Sequence, residues 1–539
     1  MLRAPIRLLV VATLLSAVGC ARRGIEVIID DGREGEGEGE GEAPAEGEGE
    51  QPGEGEGEHP AEGEGEHTGE GEGEGEGEGE DGFVDVTHQR ELRGAWVATV
   101  YGINWPSNAS ATAAVKRQEL IDLIDTVADS GINAIFFQVR PESDALYTSS
   151  REPWSRFLTG TQGRDPGFDP LQVAIDRAHA RNVELHAWIN PYRGLSSSGT
   201  TTASNHVTRT LASDAVTYSG GVWMNPASSA VRAHVVAVVE DIVGGYDVDG
   251  IHFDDYFYPY PDSSPYPDEA SFSAYRSGGG TLSKSDWRRE NVNALIDDVS
   301  VAITSLRPSV RFGVSPFGIY RNGVPSGIAG LDAYEAISCD PVTWLEMDWI
   351  DYLAPQLYWR TTQTQQAFGT LLPWWSSLTD GDGRFVVAGM NLAGAFGLPE
   401  YAAEIDITRA HLRDGAGGTL LYHVGPLLDD DDVAAAFAAH NAQPALPPPV
   451  VADPTRPAPA FAWVEGDDVV VLVGAANTKG AAFYVTGNAA AGDDDGDGYV
   501  LGAVSLHTGV SRFAHHGRRV VVTVVGTNDR ESRGVVVDP

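Results

Sequence analysis

Asp249-Gly250-Ile251-His252-Phe253-Asp254-Asp255-Tyr256 alternates apolar and polar residues and closes on two adjacent carboxylates. Successive side chains of a strand face opposite sides. Ile251 and Phe253 form the apolar set, so His252 and Asp254 face the other way. A parallel sheet carries helices on its outer side, which must be apolar. The polar set then faces the interior of a closed sheet. One strand of a parallel barrel is implied, with acid at its C-terminal end, where barrel enzymes place their chemistry.

Similar runs recur on both sides of this one. Strand candidates lie at 92–100, 134–140, 184–190, 250–256, 311–317, 352–359, 385–391 and 419–424. Amphipathic helical stretches at 115–130, 171–180, 230–245 and 291–306 fall between them. Gly131, Gly245 and Gly417-Gly418 sit where helix C-caps are expected. Eight strand–helix alternations predict an α/β fold, a (β/α)8 TIM barrel over residues 83–442.

The alternation also says which residues point inward. In the second strand Ile135, Phe137 and Val139 form the outer set, which sends Gln138 and Arg140 in. In the third, Leu185, Ala187 and Ile189 leave His186, Trp188 and Asn190; in the sixth, Leu353, Pro355 and Leu357 leave Gln356 and Tyr358. A purely structural barrel fills these layers with Val, Ile and Leu. Amides, aromatics, a guanidinium and a carboxylate suit a polyhydroxylated ring instead, stacking on its apolar face and bonding its hydroxyls. Tyr256 and Trp359 extend the aromatic set at the strand ends.

Glycoside hydrolysis ordinarily needs two carboxyl groups. The fifth to eighth strands end in Ser315-Pro316-Phe317, Gln356-Leu357-Tyr358-Trp359, Met390-Asn391 and Tyr422-His423, without one. The second strand offers Glu142 and Asp144, the fourth Asp254 and Asp255. Asp254 is the inward catalytic candidate. Asp255 is expected at the rim beside Tyr256 and Tyr258. Glu142 is the partner favoured by position, with an ion pair to Arg140 as its structural alternative. Asp268 and Glu269 enter if the loop after strand four folds over the mouth.

The flanks complete the plan. A basic start at residues 1–7, an apolar stretch at 8–15 and Ala17-Val18-Gly19-Cys20 resemble a lipoprotein signal, with Cys20 lipidated. Residues 21–82 are expected to form a disordered tether. Its Gly-Glu repeat holds about twenty glutamates and so much of the formal net charge of −42. No Lys/Arg cluster suited to a phosphate backbone occurs, which argues against nucleic acid. With Cys20 acylated, Cys339 has no partner for a disulfide. A Pro-rich linker is expected at 443–459 and an all-β sandwich of fibronectin type III kind at 460–539. An exported, envelope-anchored monomer is the expectation.

Several motifs together identify a resemblance. They are Leu92-Arg93-Gly94-Ala95-Trp96-Val97, Phe137-Gln138-Val139-Arg140-Pro141, Asp144-Ala145-Leu146-Tyr147 and His186-Ala187-Trp188-Ile189-Asn190-Pro191-Tyr192-Arg193. With the opening strand, Trp287-Arg288-Arg289-Glu290-Asn291-Val292 and Pro355-Gln356-Leu357-Tyr358-Trp359, they resemble the glycosyl-hydrolase-like family ten. Its members are bacterial envelope proteins, one of which acts on peptide-free peptidoglycan strands. The resemblance implies that Gln138, Arg140, Trp188, Asn190, Asp254, Asp255, Gln356 and Tyr358 line the site. It does not fix which carboxylate is the acid, and it leaves Glu142 open. Arg288, Arg289 and Asn291 match a motif but start a helix, so a structural role is equally compatible.

Other motifs carry less. The Asp493-Asp494-Asp495-Gly496-Asp497 loop begins like a calcium loop, but Val504 stands where the bidentate Glu belongs. Asp429-Asp430-Asp431-Asp432 reads as a helix cap. His186 and His252 lack further ligands at zinc spacing, so neither metal nor cofactor is expected. Hydrolysis of an envelope polysaccharide is the leading reading, and a non-catalytic glycan-binding lipoprotein is the alternative.

Overall fold

The computed structural model describes residues 83–379, 383–474, 476–486 and 498–539. Cys20, the signal, the tether and the Asp493–Asp497 loop lie outside the described residues. Eight parallel strands close into a barrel: Leu92–Val97, Ala134–Arg140, Glu184–Ile189, Gly250–Phe253, Arg311–Val314, Tyr352–Leu353, Phe385–Asn391 and Ala416–Tyr422. The alternation of the opening strand holds: Ile251 and Phe253 join the core under the helices. Trp96, Phe136, Trp188, Tyr352, Tyr358 and Leu420 fill the interior.

Helices begin where small polar side chains can accept the first free N–H groups. Thr112, Asp169, Ser228 and Ser283 each cap a helix this way, about 1 kcal/mol apiece. Asp430 does the same from the Asp429–Asp432 run, accepting from the amides of Asp432 and Val433. The sixth strand is shorter than expected, because Pro355 has no N–H to donate; Gln356 rejoins the sheet through single bridges to Phe317 and Gly389. Gly417-Gly418 are strand residues, not helix caps. Gly418 has φ +136, and a Cβ there would lie 1.9 Å from the Leu92 carbonyl oxygen.

The C-terminal part forms two antiparallel sheets. One orders Phe461–Glu465, Asp468–Val473 and Gly509–Ala514; the other Tyr499–Ser505, Thr478–Thr486, Val520–Gly526 and Gly534–Val537. Val469, Val471, Phe483, Val522 and Val524 share the core between them. Phe83–Val84 pairs with Val535 and Gly534, so the chain adds an edge strand to this unit before entering the barrel. The expected barrel boundary at residue 83 is corrected accordingly. The Pro-rich segment is packed rather than free: Leu446 and Val450 are buried, and Leu446 accepts from the amide of Glu91.

Charges seal the junction at the barrel floor. Arg311 and Glu184, at strand starts, pair at 2.7 Å; Lys479 of the C-terminal unit reaches Glu184 at 2.6 Å, and Asp529 pairs with both cations.

Candidate active site

A chain of side-chain amides leads across the mouth to Asp254. The Gln138 amide oxygen accepts from the amides of Thr99 and Val100, both at 2.9 Å, which fixes its orientation. Gln138 Nε2 then donates to Asn190 Oδ1 at 2.7 Å, and Asn190 Nδ2 donates to Asp254 Oδ2. Trp188 Nε1 adds a bond to the same oxygen at 3.3 Å. Three strands therefore aim one carboxylate. Gln138 and Asn190 are fully buried, so Gln138 acts as a positioning residue rather than a sugar contact.

Asp255 is not at the rim. A bend after Phe253 turns it into the protein, where it is 1% exposed, accepts from the Tyr260 hydroxyl and takes a bond from Gln356. Burial, then the charge of Asp254, push it up to about 7. Burial pushes Asp254 up to about 6, opposed first by the Arg193 cation and then by its three donors. Two adjacent buried carboxyls thus hold one proton between them near neutrality, the condition for acid/base division of labour.

Three expected site residues lie elsewhere. Arg140 does not line the interior. A bulge between Gln138 and Arg140 turns it to the side of Ile189, where it forms a two-point ion pair with Glu152 that His234 also joins. Glu142 does not join the pair either. It is fully buried, bound by Arg156 Nε at 2.8 Å and by the amide and hydroxyl of Ser196. Against the cost of burial, Arg156 holds its carboxyl below the ordinary range. His186 sits in the layer below the site, with no exposed surface, between Phe136 and Tyr352. The Tyr352 hydroxyl bridges it to His252, which burial, then His186, hold well below the usual imidazole range. Asp268 is closed by Arg288 and Lys284, which gives that helix start a structural role.

Tyr256, Tyr358, Gln356 and Trp188 remain around the carboxylates, each keeping some exposed surface. Trp359 packs edge-on to Phe317, one layer out. Sequence reasoning missed four residues. Arg193 lies 4.9 Å over the Tyr256 ring and belongs to a small antiparallel flap, Arg193–Leu195, Ala215–Tyr218 and Gly221–Met224, which also brings Trp223 to Tyr256. Tyr260 and Tyr422 complete the set. The run Asn190-Pro191-Tyr192-Arg193 was the available signal for Arg193; nothing local marks Tyr260.

The chain matches the glycosyl hydrolase-like 10 family over residues 91–389. It belongs to that family. Among similar family proteins, glycosyl hydrolase YngK of Bacillus subtilis (strain 168) is 39% identical over 298 residues, 53% of this chain and 58% of the relative. The chain therefore spans under two thirds of that relative's length. Glycosyl hydrolase DigH of Escherichia coli (strain K12) is 37% identical over 309 residues, 53% of this chain and 70% of the relative. Among solved structures, α-L-fucosidase isoenzyme 2 from Paenibacillus thiaminolyticus overlays with TM-score 0.44 at 12% identity, covering 65% of this chain and 49% of that one. The PgaB (BpsB) glycoside hydrolase domain from Bordetella bronchiseptica gives 0.43 at 13%, covering 64% and 98%. The matched residues of this glycosyl hydrolase-like 10 protein include the amide chain and both adjacent carboxylates.

Proposed function

We propose that this protein hydrolyses glycosidic bonds of a cell-envelope polysaccharide, peptide-free peptidoglycan strands, with Asp254 and Asp255 as its acid/base pair. The observation that carries the reading is the pair itself: two buried carboxyls at the end of the fourth strand, one aimed by Asn190 and Trp188, the other by Tyr260 and Gln356. The protonated member donates to the leaving oxygen while the ionised member balances positive charge at the sugar. Trp188, Tyr256 and Tyr358 offer ring faces to the sugar. Export and a lipid anchor at Cys20 would place the barrel at the envelope, and the C-terminal unit, whose own strands form a three-stranded and a four-stranded sheet before Phe83–Val84 adds a fifth to the latter, is read as a fibronectin type III-like spacer.

The test is product release from purified glycan strands, followed by mass spectrometry. Wild type is expected to yield short sugars, and Asp254→Asn to lose at least about a hundredfold in rate. Equal release by both would remove Asp254 from the chemistry. Tight glycan binding without release by wild type would favour a non-catalytic binding protein.

A further inference from the structure

Among the described residues, the wall opposite the acid pair lacks the group a two-carboxylate mechanism needs. In such mechanisms the second carboxyl acts from the other face of the sugar, about 5–9 Å from the acid. Asp254 and Asp255 are chain neighbours and approach from one strand end. Strands five to eight bring Ser315, Gln356, Asn391, Tyr422 and His423 to the mouth, without a carboxylate. Three acids on nearby loops are engaged elsewhere. Glu142 is held by Arg156 and Ser196, Asp268 by Arg288 and Lys284, and Asp340 by Tyr320 and Thr343.

What the opposite wall does hold is a pair of phenols. Tyr358 and Tyr422 stack at 5.4 Å, with Trp96 edge-on to Tyr422. Tyr358 is 5% exposed, and among the described residues neither phenol oxygen hydrogen-bonds to another side chain or to backbone. Both rings lie close enough to the carboxylates to be influenced by the charges of Asp254 and Asp255. Neither hydroxyl belongs to the buried, unpartnered polar atoms, so both open onto the mouth and are free to bond a ligand.

We propose that the substrate supplies the nucleophile: the mouth takes a sugar bearing a 2-acetamido group, whose carbonyl oxygen attacks its own C1. The inference rests on the glycoside hydrolase reading and adds the identity of the attacking atom. As the acetamido oxygen bonds to C1, the bond from C1 to the leaving sugar breaks. The leaving oxygen takes the proton of Asp255. Asp254, kept ionised beside Arg193, accepts the acetamido N–H and balances the oxazolinium charge. The phenols of Tyr358 and Tyr422 orient the acetamido oxygen, and their rings receive its methyl group. Water then adds to C1 and gives a proton back to Asp255, while the bond from C1 to the acetamido oxygen breaks and its electron pair restores the acetamido carbonyl. The net change is one glycosidic bond and one water consumed, with C1 configuration retained.

The experiment uses the full chain with two probes: the stable thiazoline analogue of the cyclic intermediate, and glycan strands whose acetamido groups have been removed. The thiazoline is expected to inhibit at least about a hundredfold more tightly than N-acetylglucosamine, as a transition-state-like ligand should. The deacetylated strands are expected to be cut about a thousandfold more slowly than the native ones, because the intramolecular nucleophile is gone. Comparable cleavage of both strands, with no preference for thiazoline, would overturn the proposal while leaving the hydrolase reading intact. No cleavage of any glycan would overturn that reading, and the proposal with it.

Discussion

At the scale of single residues, the site is built by desolvation. Asp254 and Asp255 carry raised pKa values, about 6 and about 7, because burial penalises both charges and the charge of Asp254 further disfavours that of Asp255. Activity needs one ionised and one protonated member, so it should rise as the pair loses its first proton and fall as it loses its second. A kcat/KM profile peaking between about pH 6 and 7, with limbs that belong to the pair, is the expected result. A profile flat from pH 5 to 8 would mean that neither proton matters. The inward direction of Asp254 was legible, because Ile251 and Phe253 declare the outer face. The burial of Asp255 was not, since alternation stops where the strand bends. Arg140 misled for a similar reason: a bulge shifts the register by one residue, and one residue reverses the face. Glu142 was chosen by position, but its partner Arg156 lies fourteen residues away at the start of a short helix, Arg156–Thr159, about which strand alternation says nothing.

At the scale of elements, strands and helices followed patterning wherever burial was one-sided, and departed from it where backbone chemistry intervened, as at Pro355 and Gly418. The helix Leu398–Ala410 shows a local conflict. Glu404 is fully buried on it, neither carboxyl oxygen has a hydrogen-bond partner among the described residues, and burial, then Glu400, push it up to about 9. The folded state therefore keeps a proton that the unfolded chain releases near its ordinary pKa. The contribution of Glu404 to stability is fully present below about pH 4.5 and is lost as pH rises toward 9, a cost of roughly 3 kcal/mol at neutrality. Glu404→Met is expected to raise the denaturation midpoint, more at pH 8 than at pH 5. An equal midpoint shift at both values would contradict the assignment.

At the scale of the whole molecule, the C-terminal unit closes the barrel floor and is no loose appendage. Nothing in the local sequence around Lys479 or Asp529 marks them as partners of Glu184 and Arg311, because ion pairs between distant segments leave no periodic signal. Against the cost of burial, Arg311 and Lys479 hold Glu184 well below the usual carboxylate range. Removing one member leaves buried charge uncompensated, at about 3–5 kcal/mol. Lys479→Met should therefore lower the Tm of the full chain, with barrel and C-terminal unit melting together; an unchanged Tm would show that the floor does not depend on the junction. At the other end of the barrel, the amide chain and Arg193 of the flap act on Asp254, beside Asp255. The most direct test of that pair compares kcat/KM on peptide-free glycan strands for wild type, Asp254→Asn, Asp255→Asn and the double variant. Each single substitution is expected to cost at least about a hundredfold, and the double variant little more than the worse single, as groups acting as one unit do. Near-wild-type activity in either single variant, or losses that multiply in the double, would contradict a shared acid/base pair.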